Sequence, residues 1–218
     1  MKRKKSIRKK LTEMYSLLYS HFGWQNWWPA KTKFEVMVGA ILTQNTSWKN
    51  VERAIKNLRV HNLINPFRLH SVSDKKCASL IKPAGYFNVK TKRLKNFVSF
   101  FLRRYNGSLK SLFAQDLKPL RHELLSVNGI GQETADSILL YAGEKAIFVV
   151  DAYTRRILMR HNLINENATY ETIQNIFMKN LPRDVKLFND FHAQIVRCGN
   201  VYCRRISRCE KCPLSNLK

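Results

Sequence analysis

The side chain best suited to catalysis in this sequence is an aspartate at the start of a helical pattern. Asp151 follows the apolar segment at residues 147–150 and precedes a helical pattern near residues 152–160. The positive end of a helix dipole favours the ionised carboxylate. Such a carboxylate can stabilise positive charge that develops on a substrate, and it can orient a water molecule. The residue types alone favour the simpler interpretation, a helix N-cap.

A short glycine-rich hairpin, V-N-G-I-G at residues 127–131, ends twenty residues before Asp151. Its two glycines bracket one apolar residue, which lets the backbone take positive φ and approach a partner closely. The helical pattern that follows, starting at Thr134, repeats apolar residues at intervals of three and four. Backbone N–H groups presented at such a helix start bind anions. We therefore predict a phosphate-binding hairpin.

The overall charge of the protein indicates which class of molecule carries that anion. Lys and Arg total 39 and Asp and Glu total 15, which gives a net charge of +24. This excess favours a polyanionic partner such as nucleic acid, although a ribosome-associated basic protein would share it. Seven of the first ten residues are basic, so we predict a mobile basic arm over residues 1–10. With no apolar run long enough to span a membrane and no secretory signal, we expect a soluble, cytoplasmic protein.

Four of the five cysteines crowd the end of the sequence, with gaps of four, five and two residues. In a protein without a secretory signal, such a cluster favours metal binding over disulfides. Four thiolates can hold a [4Fe–4S] cluster or Zn²⁺, and four unligated thiols are the third alternative. The fifth cysteine, Cys77, fits a small half-buried position. The candidate ligands are Cys198, Cys203, Cys209 and Cys212.

The elements that position these residues are predicted to be helices. Apolar residues recur at helical spacing along the chain, and no segment shows convincing strand alternation. Ser47 is a plausible N-cap for a helix that runs to Leu58, and residues 90–105 form an amphipathic pattern after a turn at residues 84–88. About ten helices joined by short loops predict an all-α fold.

Several short motifs together resemble the helix-hairpin-helix DNA glycosylases of the endonuclease III family. They are A-I-L-T-Q-N-T at residues 40–46, the hairpin, V-V-D at residues 149–151 and the terminal cysteines. Within that family, W-W-P at residues 27–29, K-F-E at 33–35 and G-Q-E at 131–133 look most similar to the 3-methyladenine DNA glycosylase branch. The resemblance covers the chain from about Trp27 onward.

The resemblance implies an all-α, two-lobed fold. Residues 31–143 would form a six-helix barrel with the helix-hairpin-helix. Residues 11–30 with 144–218 would form a second lobe that ends in the four-cysteine metal loop. A damaged base inside a duplex is unreachable, so the family extrudes it from the stack and holds it in the cleft between the lobes. The implied partner is double-stranded DNA containing a damaged base, bound by a monomer.

The resemblance also implies the reaction. Asp151 would be the catalytic residue, because cleavage of an N-glycosidic bond develops positive charge on the sugar. Glu133 stands where bifunctional members carry a lysine, and glutamate cannot form a Schiff base. We therefore expect a monofunctional glycosylase that uses water. The rivals are a bifunctional glycosylase/AP lyase acting on oxidised pyrimidines and a non-catalytic damage-binding protein.

The remaining site residues follow from the same resemblance. Gln44 would fill the gap that the extruded base leaves, and Tyr86 would act as a wedge. The alternatives are a polar residue at a helix end for Gln44, a packed turn aromatic for Tyr86 and core positions for Trp28 and Trp48. The predicted base pocket is Trp27, Trp28, Pro29, Trp48 and Glu133, and the predicted DNA-binding residues are Gln44, Tyr86, Asn128, Gly129, Ile130, Gly131 and Thr134.

The order of the cysteine gaps differs from the usual family pattern, C-x6-C-x2-C-x5-C. The resemblance nevertheless favours a [4Fe–4S] cluster, with Zn²⁺ as the alternative. Either metal would be structural, because it would hold the basic loop at residues 204–208 in place for contact with phosphate.

Overall fold

The computed structural model describes residues 6–217, and this part of the chain is helical with no β-strand. The predicted all-α class is confirmed, with twelve α-helices among the described residues. They are α1 (Ile7–Phe22), α2 (Lys33–Leu42), α3 (Trp48–Val60), α4 (Pro66–Ser71), α5 (Asp74–Ile81), α6 (Phe87–Tyr105), α7 (Leu109–Ala114), α8 (Leu117–Leu125), α9 (Gln132–Ser137), α10 (Ala152–Arg160), α11 (Tyr170–Asn180) and α12 (Val185–Val201).

Three shorter helical segments complete the described part of the chain. Lys82–Ala84 and Cys209–Lys211 are single 3₁₀ turns, and Ile138–Ala142 continues α9 as a π-helical segment. None of the described helices is long and apolar enough to cross a membrane. Half of the predicted basic arm, residues 1–5, lies outside the described residues. The arm was predicted to extend to residue 10, but α1 already begins at Ile7, with Ser6 as its N-cap.

The chain divides into two compact units. One is Ala30–Lys145, and the other combines the chain up to Pro29 with the chain from Ala146 onward. The sequence predicted lobes of 31–143 and of 11–30 with 144–218. The hairpin therefore belongs to the first unit, whereas Asp151 and the cysteines belong to the second.

The Ala30–Lys145 unit is built around α2. Nine of its ten residues are buried, because the segment is apolar almost throughout. The ring of Phe34 stacks on Phe101, which also stacks on Phe97 of α6. Burial extends to Glu35, which is 2% exposed and accepts hydrogen bonds from the Arg59 guanidinium at 2.6 and 3.2 Å. The predicted helix α3 begins where expected, directly after Ser47.

The second unit packs α1, α10, α11 and α12 around an aromatic core. Phe148 lies at its centre, stacked on Phe177 with the ring centroids 3.6 Å apart and edge-on to Phe188 and Phe191. The whole segment at residues 147–150 is buried. This segment is fixed in the core. The backbone of Asp151, which follows it as the N-cap of α10, is therefore also held in place.

Candidate active site and DNA-binding elements

Asp151 caps α10 with one carboxylate oxygen. Its Oδ1 accepts hydrogen bonds from the backbone N–H of Thr154 at 2.7 Å and from the Thr154 hydroxyl at 2.8 Å. Thr154 is fully buried, and the Asp151 side chain is 12% exposed. The N-cap interpretation is therefore correct as a description of the local structure. It leaves the second oxygen, Oδ2, outside the capping contacts.

The residue that faces this second oxygen was not among the predicted site residues. His192 on α12 places its Nε2 atom 3.8 Å from Asp151 Oδ2, and its side chain is 8% exposed. Burial lowers the pKa of His192, although the Asp151 carboxylate opposes that shift. The imidazole is therefore favoured in its neutral form near pH 7, and it lies beside the carboxylate without neutralising its charge.

Helix α12 also holds the aromatic segment that precedes α2. Buried Asp190 accepts hydrogen bonds from the backbone N–H of Gln25 at 2.9 Å and from the Tyr15 hydroxyl at 3.0 Å. Gln194 donates to the Gly23 carbonyl at 2.6 Å. A polar residue on the otherwise apolar face of a buried helix is the signal that could have drawn attention to His192 and Asp190.

The predicted pocket residues are distributed over both units. Trp27 and Trp28 are half-buried, with ring centroids 5.4 Å apart, and Pro29 is exposed. Trp48, in the other unit, is half-buried and donates from its indole N–H to Glu52 at 2.9 Å. Neither Trp28 nor Trp48 is a core residue, so the core alternative is wrong for both. Glu133 is exposed in the first turn of α9.

The hairpin joins α8 to α9, and its two glycines have different roles. Gly129 has a φ of +97°, and an added Cβ would lie 2.3 Å from the Cγ atom of Arg93. Gly131 has a φ of −91°, so only Gly129 uses the positive φ that the glycine pattern permits. Gly131 is the N-cap of α9, which begins at Gln132, two residues earlier than predicted. A Cβ on Gly131 would meet no atom within 4 Å, so the space in front of this position is open.

Two of the predicted DNA-binding side chains are buried. Ile130 is 5% exposed, and its backbone N–H donates to the Val127 carbonyl at 2.9 Å. Thr134 is also 5% exposed. The single apolar residue between the glycines thus anchors the hairpin in the core. Asn128 is exposed at the tip, and its carbonyl accepts a hydrogen bond from the Asn96 side chain at 3.1 Å.

Gln44 is bound to this hairpin. Its Nε2 donates to the Gly129 carbonyl at 3.0 Å and to the Thr134 hydroxyl at 2.9 Å, and its Oε1 accepts a hydrogen bond from Arg93. Tyr86 differs, because it is 71% exposed and has a φ of +46° immediately before α6. The packed-turn alternative is therefore wrong for Tyr86.

A buried ion pair fixes the two helices of the hairpin. Arg121 of α8 donates from Nε and Nη2 to the two carboxylate oxygens of Asp136 on α9, at 2.7 and 3.1 Å. Asp136 is completely buried. A bidentate arginine–carboxylate pair is geometrically strict, so it sets the orientation of α8 relative to α9.

The four terminal cysteines line one cavity of about 280 Å³. The Sγ atoms of Cys198 and Cys212 are 3.8 Å apart, and Arg160 lies 3.2 Å from the Cys203 Sγ atom. The hydrogen bond between these two thiols raises the pKa of Cys198 and lowers the pKa of Cys212. Among residues 6–217, no group of three or more His, Cys, Asp or Glu side chains is close enough to hold a metal. The metal loop therefore stays a prediction.

With this geometry established, comparison with known proteins identifies the class. The family model described as "HhH-GPD superfamily base excision DNA repair protein" matches residues 38–183, well over half of the chain. The chain belongs to this superfamily, and it is a DNA glycosylase of base excision repair.

Individual relatives agree with this class. A Methanocaldococcus jannaschii protein named "Putative DNA repair glycosylase MJ1434" is 50% identical over 203 residues, which are 93% of this chain and 92% of that protein. The structure of H. pylori 3-methyladenine DNA glycosylase (MagIII) bound to 1,N6-ethenoadenine is 28% identical, with a TM-score of 0.76 over 90% of this chain and 98% of that chain. A trapped endonuclease III–DNA covalent intermediate has a TM-score of 0.83 at 18% identity, over 96% of this chain and 94% of that chain, which shows a shared fold.

The ion pair between α8 and α9 gives a testable prediction. Replacing Arg121 by Met should lower the free energy of unfolding by about 3 kcal/mol, because it removes the bidentate partner of a completely buried carboxylate. Arg68→Met, at an exposed position of α4, is the control and should change it by less than about 0.5 kcal/mol. Chemical denaturation followed by circular dichroism measures both. Equal stability of the two variants would contradict the assignment.

Proposed function

We propose that this protein is a monofunctional DNA glycosylase that hydrolyses the N-glycosidic bond of an alkylated base, such as 3-methyladenine, in double-stranded DNA. The observation that carries the proposal is the Asp151 carboxylate. One of its oxygens is fixed by Thr154, and the other faces His192 at 3.8 Å. A carboxylate held in this way is immobile but keeps an oxygen available for chemistry.

The reaction follows from the charge that develops in the transition state. The bond between C1′ and the base nitrogen breaks, its electron pair leaves with the base, and the sugar becomes positively charged. The Asp151 carboxylate stabilises that charge electrostatically. Water then adds to C1′, and the carboxylate orients the water and accepts its proton. Adenine methylated at N3 is already cationic in DNA, so it departs as a neutral molecule and needs no added proton.

Aromatic side chains support an alkylated base as the substrate. Trp27 and Trp28 are half-buried in the same unit as Asp151, where α12 fixes the segment that carries them. Flat indole faces bind electron-poor and cationic rings well, through stacking and cation–π attraction. The similarity to MagIII, whose structure contains 1,N6-ethenoadenine, supports the same substrate class.

The absence of lyase activity is inferred from Glu133. Its position matches the lysine of bifunctional relatives, and a carboxylate cannot form the Schiff base that strand cleavage requires. Glu133 is exposed near the start of α9. Water therefore remains the nucleophile.

DNA binding and base extrusion are assigned to the Ala30–Lys145 unit. We propose that the hairpin at Asn128–Gly131 contacts phosphate, a role supported by the open space at Gly131. Tyr86 would replace the stacking of the extruded base, and its high exposure suits that role. Gln44 would replace the hydrogen bonds of the lost base once its contacts to the hairpin open.

A [4Fe–4S] cluster held by Cys198, Cys203, Cys209 and Cys212 completes the proposal, with Zn²⁺ as the alternative. The four thiols that line one cavity fit a thiolate-bound group. Its contribution would be structural, since it would fix the basic segment at residues 204–208 that follows α12.

The catalytic assignment is tested with Asp151→Asn. Asparagine also caps helices, so folding and DNA affinity should be retained, while the rate of base release should fall about 10²- to 10³-fold. Asp116→Asn, at an exposed N-cap without a side-chain cap bond, is the matched control and should keep full activity. Base release is measured on methylated DNA and on duplexes with single ethenoadenine, uracil, mispaired thymine or thymine glycol lesions. No release by the wild type from any of these duplexes would overturn the enzymatic proposal.

The monofunctional assignment is tested by borohydride trapping. The wild type should give no covalent DNA adduct, whereas Glu133→Lys should introduce the missing amine and give one. Glu166→Lys, at an exposed position in the other unit, controls for the added charge and should give none. An adduct with the wild type would show that another lysine supplies lyase activity.

The metal assignment is tested on protein purified without air. We expect a brown protein with about four iron and four sulfide per chain, as four cysteine ligands require for a cubic cluster. Cys209→Ser should lose the colour, and Cys77→Ser should keep it. A colourless protein that contains one zinc per chain would show that the cysteines bind Zn²⁺ and not an iron–sulfur cluster. A protein that contains neither metal would contradict the proposed metal site.

A further inference from the structure

A completely buried lysine lies beneath the two loops to which base extrusion is assigned. Lys90, in the first turn of α6, is 1% exposed. Its ammonium donates hydrogen bonds to the carbonyl oxygens of Leu42 at 2.9 Å and Ala84 at 2.7 Å. These two carbonyls belong to segments that lie 42 positions apart in the sequence, so one side chain joins two separate loops.

Burying this ammonium requires compensation. Burial of an unpaired charge is strongly unfavourable, and hydrogen bonds to fixed acceptors offset that cost. The Leu42 carbonyl is a good acceptor, because Leu42 is the last residue of α2 and the carbonyl end of a helix carries negative charge. Burial lowers the pKa of Lys90 to about 8, with a contribution from Arg93. The side chain therefore remains largely charged at neutral pH, with both contacts made.

The two carbonyls have equivalent positions relative to the proposed DNA-contacting residues. Leu42 precedes Gln44 by two residues, and Ala84 precedes Tyr86 by two residues. The second loop is conformationally demanding, since Gly85 and Tyr86 have φ angles of +69° and +46°. A non-glycine residue in this region is strained, and the Lys90 contact holds the Ala84 carbonyl directly before it. All of these residues lie in the Ala30–Lys145 unit.

We propose that Lys90 is a positioning residue for base extrusion. Its ammonium sets the distance between the Gln44 loop and the Tyr86 loop, so that both side chains enter the duplex together. This inference rests on the proposed function, which assigns those two roles. It adds a residue that touches neither the DNA nor the reacting atoms.

The test removes the ammonium and keeps the length of the side chain. In an Asp151→Asn background, in which base release is expected to be slow, Lys90→Met is compared with Lys110→Met at an exposed position of α7. Extrusion is followed by the fluorescence of 2-aminopurine placed next to the lesion. Affinity for an undamaged duplex and thermal unfolding are measured alongside. Amide hydrogen exchange at residues 43–46 and 85–88 reports on the two loops.

We expect Lys90→Met to reduce extrusion about tenfold to a hundredfold, since small misplacement of acting groups has effects of this size. Both loops should exchange faster, and affinity for undamaged duplex should change less than about twofold, because the phosphate contacts of the hairpin are intact. Lys110→Met should match the parent protein. If Lys90→Met does not fold, Lys90→Gln, which is too short to bridge both carbonyls, takes its place in the same comparison.

Two outcomes would overturn the inference by itself. One is extrusion equal to that of the parent, and the other is a loss of extrusion no larger than the loss of duplex affinity, as a general structural defect would give. A parent protein that extrudes no base from any lesion would instead overturn the proposed function and the inference together.

Discussion

The capping contact between Asp151 and Thr154 is the interaction on which the candidate chemistry depends. The Thr154 N–H and hydroxyl hold one carboxylate oxygen at 2.7 and 2.8 Å, and the buried segment at residues 147–150 fixes the backbone that leads to it. A helix cap needs a short acceptor at a defined position, and stabilisation of a cationic sugar needs an ionised, immobile carboxylate. The two requirements coincide in one residue. The helix start orients the Asp151 side chain.

Helix α12 extends this constraint to the rest of its unit. His192 lies beside Oδ2 of Asp151, and Asp190, two residues earlier, binds the backbone that leads to Trp27 and Trp28. Both side chains are buried, so their positions are determined by the packing of α12 against α1 and α10. A neutral His192 is consistent with the proposed mechanism, because a protonated imidazole would compete with the sugar for the carboxylate.

The Ala30–Lys145 unit uses buried polar contacts for a different purpose. The Arg121–Asp136 pair, the Lys90 ammonium and the Gln44 amide each join segments that are distant in sequence, and each is directional. Apolar groups of similar volume often stabilise a core equally well, so stability alone does not explain these contacts. What they provide is fixed geometry for the hairpin and for the two loops. Gly129, where an added Cβ would lie 2.3 Å from the Cγ atom of Arg93, packs against the same network.

The sequence was most informative where local chemistry determines the structure. Helical periodicity predicted the all-α class and the amphipathic α6, and the pairing of an apolar segment with Asp151 predicted the start of α10, because caps and periodicity are properties of neighbouring residues. Gly131 shows the limit of that reasoning, since a glycine pattern permits a positive φ without requiring it. His192, Asp190 and Lys90 were not predicted, because their partners are 41, 165 and 48 residues away and only the tertiary packing brings them together. An ionisable residue within an apolar helical stripe can be recognised from the local sequence, but its partner in the folded protein cannot. That partner determines whether the residue caps a helix, positions another group or takes part in catalysis.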